Sequence, residues 1–273
     1  MTLTCQAILL LVVKVARIIK DIRMTTPLNE SLIKGFSILK LFSKERPEIS
    51  TSVVVQELGM NSATAHRFLV TLEETGALVS RQRGRYSLGL HMVALGRTAE
   101  LTNPLASIVQ PVIDDISTEL RESVMACRLN RDGAVCIAAA IANRPITVNI
   151  SVGEVLELHS SAQGKVWLAS MSDEEVRTIL KELPLKNFNS NTVTNIDALC
   201  DEIRMVRSQG YALNRGEREE DIAAVAVPVK NKDGKTILSF SVFGMVSRFD
   251  QELIERAKKQ LFIAANKATQ AIT

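Results

Sequence analysis

Arg81, Arg83 and Arg85 stand at alternate positions around Gly84 in the segment 77–88, ALVSRQRGRYSL. Guanidinium groups this close repel one another unless an anion neutralises them, and a phosphate backbone is the obvious candidate. Two short runs broken at Gly84 predict a hairpin, a basic wing. Just upstream, Ser62, Ala63, Thr64, His66 and Arg67 fall in the segment 61–76. Short polar groups in a first helical turn, with an arginine one turn on, suit a helix whose N-terminal end enters a DNA major groove. A different chemistry is offered by LHSSAQGK at 158–165. There a strand passes into a helix, so backbone N–H groups converge at a positive helix end that can receive a small carboxylate.

Other chemistries are poorly represented. Gly164-Lys165 resembles the end of a phosphate loop, but Val166 follows and His159 occupies the first-glycine position. Neither GxGxxG nor GxSxG occurs. His66, His91 and His159 are the only histidines, and the first lies on the proposed reading helix, which disfavours a histidine metal site. Asp114 and Asp115, like Glu219, Glu220 and Asp221, read as solvated charges, and Trp167 as packing. No cofactor or metal is expected. An enzyme remains the competing class, and a pure protein-interaction module a third; the latter has no need of an arginine wing. Cys5, Cys127, Cys136 and Cys200 are scattered with no CxxC, which points to a reducing cytoplasm. With 273 residues, 46% hydrophobic and 23% charged, the chain can form two cored domains. A net charge of +3 excludes a general polyanion binder, so any DNA contact is local.

The elements that must position these residues follow from caps and periodicity. Asn61 and Ser62 are good N-caps, Gly59 supplies the turn before them, and Gly76 ends the helix. Ala65, Phe68, Leu69 and Leu72 recur at helical spacing and face a core. A shorter helix spans 53–58, and a first helix spans 30–44 with an apolar stripe of Leu32, Phe36, Leu39 and Phe42, ended by Pro47. Beyond the wing, 88–101 has helical periodicity through Leu90, Val93, Ala94 and Ala99 and reads as a linker helix; His91 is a helix residue there, not a ligand. The later chain predicts a helix over 104–122 with Pro111 at its middle or at a restart. A hairpin of 123–130 and 134–141 follows, then a strand at 146–152. Helices are predicted at 162–171, 172–182 (capping box Ser172/Glu175) and 196–208, strands at 223–230 and 236–243, and a closing helix from Asp250. Hairpins of one antiparallel sheet alternating with helices indicate an α+β sensor-type domain.

Residues 7–13, AILLLVV, form an apolar run that Lys14 and Arg17 interrupt before membrane-spanning length. No positive charge precedes it, as a secretory signal would require. Residues 1–27 therefore read as an extension, dispensable or a dimer-contact helix, and no membrane association is expected; Met24 is an alternative start.

The chain resembles the IclR family of transcriptional regulators. The residues that carry the resemblance are SLIKGFSILKLF from Ser31, VVVQELGMNSATAHRFLVTLEETGAL from Val53, GRYSLGLHMVALG from Gly84, VGEVLELHSSAQGKVWLA from Val152, VRSQGYALNRGE from Val206, AVAVPVKNKDG from Ala224 and SVFGMVSRF from Ser241. The resemblance implies a winged helix-turn-helix over 28–88, a linker helix over 89–103 and a GAF-like antiparallel-sheet effector-binding domain over 104–273. It implies a homodimer or dimer of dimers on a palindromic double-stranded operator and a small organic acid as effector. Repression of a catabolic operon is the commoner output in such a family, activation the alternative. Carried over by position, the effector residues are Leu158, Ser161, Ala162, Gln163, Asn214, Ala224, Ser241 and Phe243. The sequence departs from the pattern at Asn214, commonly acidic, at Asp221, commonly glycine, at Ala224, commonly cysteine or small and polar, and at Ala63, commonly serine. The ligand and operator therefore do not carry over.

Overall fold

The structure is a computed structural model that describes residues 28–272 apart from 44, 83 and 131. The expectations for residues 1–27 and for Arg83 lie outside the described residues, as does the side chain of Arg81. Two compact units meet in the chain between Thr98 and Ala99.

The first unit begins with α1 (Glu30–Leu39), capped by Asn29, whose Oδ1 accepts from the Ser31 and Leu32 N–H groups at 3.0 and 3.2 Å. After it come β1 (Glu48–Ser50), α2 (Thr51–Leu58), α3 (Ser62–Glu74), β2 (Leu78–Gln82), β3 (Arg85–Leu88) and α4 (Leu90–Leu101). The strands form an antiparallel sheet in the order β1-β3-β2, with Tyr86 of central β3 opposite both Ile49 and Ser80. Ile38, Ile49, Val54, Ala65, Leu69, Leu78 and Tyr86 make the core, with Phe68 and Leu72 packed against it.

The α1 expectation needs correction. Gly35 and Ile38 face the core, whereas Leu32 and Phe36 are each 62% exposed. The helix carries apolar residues on two faces, and the core takes the one that holds Ile38, with Leu39 packed against its edge. Lys40 ends the helix well before Pro47, its N–H donating to the Phe36 carbonyl. Helix α4 is where the periodicity placed it, but none of its residues is buried.

The second unit contains α5 (Pro104–Leu120), β4 (Ser123–Asn130), β5 (Gly133–Ala140), β6 (Val155–Leu156), α6 (Ala162–Ala169), α7 (Asp173–Glu182), α8 (Ile196–Gln209), β7 (Ala212–Arg215), β8 (Ile222–Lys230), β9 (Thr236–Met245) and α9 (Gln251–Ile272). Its six strands run antiparallel in the order β6-β5-β4-β9-β8-β7. Strand alternation assigns β8 to two cores at once: Ala223, Val225, Val227 and Val229 join α5 and α9, while Ala224 and Ala226 join α6, α7 and α8. Both faces are covered, which explains the almost uninterrupted apolar run. Pro111 lies inside α5 without a restart, and the capping box of α7 is formed as expected.

Residues 146–152 are not a strand. Val148 and Ile150 pack against the second core at alternate positions, which imitates strand periodicity, but the segment runs as a loop. It is held by the Ser123 hydroxyl, which lies 3.2 Å from the Val148 carbonyl. The pairing partner of β5 is instead the two-residue β6, through Ala134↔Leu156 and Val135↔Val155. Three short strands, β1, β6 and β7, escape a periodicity argument because two to four residues hold too few alternations. Among the described residues no helix is long and apolar enough to cross a membrane.

Leu69 is completely buried in the small first core. Leu69→Ala should therefore lower the stability of that unit by about 2–5 kcal/mol, read as a lower denaturant midpoint for its unfolding, with DNA binding lost under mildly destabilising conditions.

Candidate functional site

The α2–α3 corner is built by a three-residue turn. Gly59 takes the left-handed conformation, φ 63°, and its N–H closes α2 on the Val55 carbonyl. Asn61 Oδ1 accepts from the Thr64 N–H at 2.8 Å and fixes the start of α3. Ala65 and Leu69 anchor the helix in the core, which leaves Ser62, Ala63, His66 and Arg67 exposed and Thr64 half-buried. At the far end Gly76, φ 73°, terminates α3, and His91 Nδ1 lies 2.8 Å from the Thr75 carbonyl. His91 therefore closes a helix end. In the wing, exposed Arg85 has Nη1 3.4 Å from Glu48 Oε2 on β1. Its charge is thus partly balanced within the protein, but an exposed pair contributes only about 0–1 kcal/mol and can be exchanged for a phosphate.

The second unit holds a cavity of about 550 Å³, part of it open to solvent. Met125, Val148, Ile150, Leu156, Ile222, Ala224 and Phe243 supply its apolar wall. The N-terminal end of α6 enters the wall as Ser160, Ser161, Ala162 and Gln163. Ser161 caps α6, its hydroxyl accepting from the Gly164 N–H at 3.0 Å. Gly164 is required there, because a Cβ would lie 2.4 Å from Leu158 Cα and 2.5 Å from the Glu157 and Leu158 carbonyl oxygens. The hydroxyl of Ser160, which is 0% exposed, has no hydrogen-bond partner.

Residues 99–270 match the family model described as the bacterial transcriptional regulator IclR C-terminal domain, and residues 31–82 match the IclR helix-turn-helix domain. The chain belongs to the IclR family of transcriptional regulators. It is 30% identical over 238 residues to the HTH-type transcriptional regulator KdgR of Escherichia coli, covering 87% of this chain and 90% of that protein. A solved IclR transcriptional regulator from Alicyclobacillus acidocaldarius superimposes with a TM-score of 0.77 at 28% identity, covering 89% of this chain and 99% of that one. An IclR homologue from Microbacterium hydrocarbonoxydans, solved in complex with 4-hydroxybenzoate, shares the fold at 20% identity and a TM-score of 0.69, covering 89% of this chain and 100% of that one. The relatives are named as transcriptional regulators, a family that is not enzymatic, and the enzyme reading falls.

In this IclR-family chain, six of the eight positions carried over by resemblance line the cavity: Ser161, Ala162, Gln163, Asn214, Ala224 and Phe243. Leu158 does not; its side chain is buried in the second core, where the tight Gly164 contact holds its backbone. Ser241 stands behind the wall and is hydrogen-bonded to Gln163 Nε2. Asn214, where the family commonly has an acid, donates from Nδ2 to the Ser160 carbonyl at 2.5 Å and accepts the Glu217 N–H at 3.4 Å. Its amide braces the wall. The 148–150 loop and the charged trio Glu154, Arg218 and Glu219 also line the cavity. Only Val148 and Ile150 left a sequence signal, their alternation; Arg218 and Glu219 sit in a turn with no pattern.

Beneath the α6 end, Lys165 is 0% exposed, its Nζ 2.6 Å from Glu202 Oε1 and 2.6 Å from Glu217 Oε1. Burial pushes the Glu217 carboxyl above its ordinary value, with the Lys165 ammonium opposing that shift. A carboxyl raised on folding favours the folded state most at low pH, and that contribution is lost as pH rises through its folded pKa. Lys165→Met should lower stability by about 3–5 kcal/mol, since two carboxylates are left facing each other without a cation. Denaturation at acidic and at neutral pH should show the variant losing more stability than the parent protein as pH rises.

Proposed function

We propose that this regulator represses a catabolic operon, working in the cytoplasm as a homodimer or dimer of dimers on a palindromic operator. Ser62, Thr64, His66 and Arg67 contact groove and phosphates, with Ala63 facing the groove in place of a hydroxyl. Arg81, Arg83 and Arg85 hold the flanking backbone or minor groove. A small organic acid in the C-terminal cavity shifts the operator affinity, with helix α4 carrying the chain from one unit to the other. A coupling of about 1–3 kcal/mol is the expected size.

The observation that carries the effector reading is the orphaned hydroxyl of Ser160 in the cavity wall, beside the N-terminal end of α6. A buried hydroxyl without a partner costs free energy that an oxygen-bearing ligand recovers. A helix end favours that ligand's negative charge. The 4-hydroxybenzoate bound by the Microbacterium homologue is a small aromatic acid of the class such a cavity suits.

The test is a fluorescence titration of the purified protein against DNA from upstream of its own gene, with a scrambled duplex as control, across a salt series. A preference of roughly a thousandfold or more is expected for specific recognition. Weak binding, equal on both duplexes and lost at modest salt, would leave only a basic hairpin. Arg67→Ala should weaken specific binding by about 1–3 kcal/mol while the melting temperature stays put; equal loss of both would make Arg67 structural. Ser160→Ala should weaken the binding of acids that release the operator by about tenfold, the loss of one hydrogen bond to a charged group, and leave DNA affinity intact.

A further inference from the structure

The cavity has a charge composition that the shared features of the fold do not dictate. Among the described residues lining it, the ionisable groups are Glu154, Arg218 and Glu219, two carboxylates against one guanidinium. The guanidinium is already engaged. Arg218 Nε lies 3.1 Å from Glu157 Oε2, and its Nη1 lies 3.7 Å from Glu154 Oε1. The next cation along α6, Lys165, is held by Glu202 and Glu217. The neutral groups are similarly committed, Gln163 Nε2 to Ser241 and the Asn214 amide to Ser160 and Glu217. Beside the Asn149 amide and the remaining N–H groups of Arg218, the wall's provision for an anion is the α6 end with the unpartnered, fully buried Ser160 hydroxyl. The two carboxylates, Glu154 and Glu219, outnumber the shared Arg218 guanidinium and repel a second negative group.

We infer that this cavity accepts monocarboxylates with an apolar body and excludes dicarboxylates, with Glu154 and Glu219 as the specificity-determining residues. The inference rests on the reading of the cavity as an organic-acid site. One carboxylate of the ligand meets Ser160 and the α6 end. A second would meet Glu154 and Glu219, and the one guanidinium within its reach, Arg218, is shared with Glu157 and Glu154. An uncharged far end packs instead against Met125, Ile150 and Phe243.

The experiment is calorimetric titration of the full-length protein at neutral pH with acids of matched skeleton, butyrate against succinate and 4-hydroxybenzoate against terephthalate. The monoacid of at least one pair should bind about tenfold or more tightly than its diacid, equivalent to 1.4 kcal/mol. The double substitution Glu154→Gln/Glu219→Gln should bring the diacid to within about threefold of the monoacid without weakening the monoacid. Glu219 is exposed, so Glu219→Gln alone should fold and narrow the gap partway even if loss of the Glu154–Arg218 contact perturbs the double variant. Diacids that bind the parent protein as tightly as their monoacids in every pair that binds overturn the charge filter and leave the organic-acid site standing. So does a gap that both the single and the double variant leave unchanged. No binding by any acid of the set, with or without the substitutions, overturns the organic-acid reading itself, and this inference with it.

Discussion

Lys165 is completely buried and holds two carboxylates from different parts of the second unit, Glu202 on α8 and Glu217 in the turn after β7. An ammonium removed from water is tolerated only with such partners. Three segments are thereby tied at one point, and two of them are walls of the cavity. The α6 end reaches it through Ser161 and Gln163, and β7 with the Glu217 turn reaches it through Asn214 and Arg218. Thr192 completes the knot, its hydroxyl donating to the Glu217 carbonyl at 2.6 Å. The cavity's polar side is thus positioned by buried electrostatics, and its apolar side by the sheet.

The other fixed point is steric. Gly164 lets α6 start against the backbone of Glu157 and Leu158 at distances no Cβ could tolerate. That close approach aims Ser160 and Ser161 at the cavity and sends Leu158 into the core. The same segment therefore contributes functional groups from one part and packing from the next. Residue-by-residue transfer from a family pattern could not separate Leu158 from Ser161, since both lie in the matched motif; the backbone contact at Gly164 separates them.

How much was legible in the sequence follows from what signals locally. Caps and left-handed glycines act within four residues, so the end of α2, the start of α3, the wing turn and the α7 capping box could be read from Gly59, Asn61, Gly84 and Ser172. Helix α2, however, starts at Thr51 rather than 53, because Ser50, one of several adjacent hydroxyl residues, is its cap. The run in β8 marked a strand, but its burial on both faces emerges only from the packing of helices on either side of the sheet. The loop 146–152 was misread because packing over a core and pairing in a sheet impose the same alternation. Arg218 and Glu219 were invisible as wall residues because only the pairing of β7 with β8 brings their turn to the cavity.

The misread face of α1 bears on assembly. Leu32 and Phe36 are each 62% exposed, and α4 presents Leu90 at 85%, Val93 at 65% and Leu95 at 64%. Single exposed apolar residues need no explanation, but so many large ones on two helices are more than a monomeric surface ordinarily carries. The core of the first unit is small, with seven buried apolar residues, so further burial matters to it. The homodimer proposed above would meet that need with a second copy of the chain and would supply a second reading helix for a two-fold operator. The helical periodicity of α1 and α4 thus located the helices but not the faces they bury, because period alone does not say which apolar stripe the core takes.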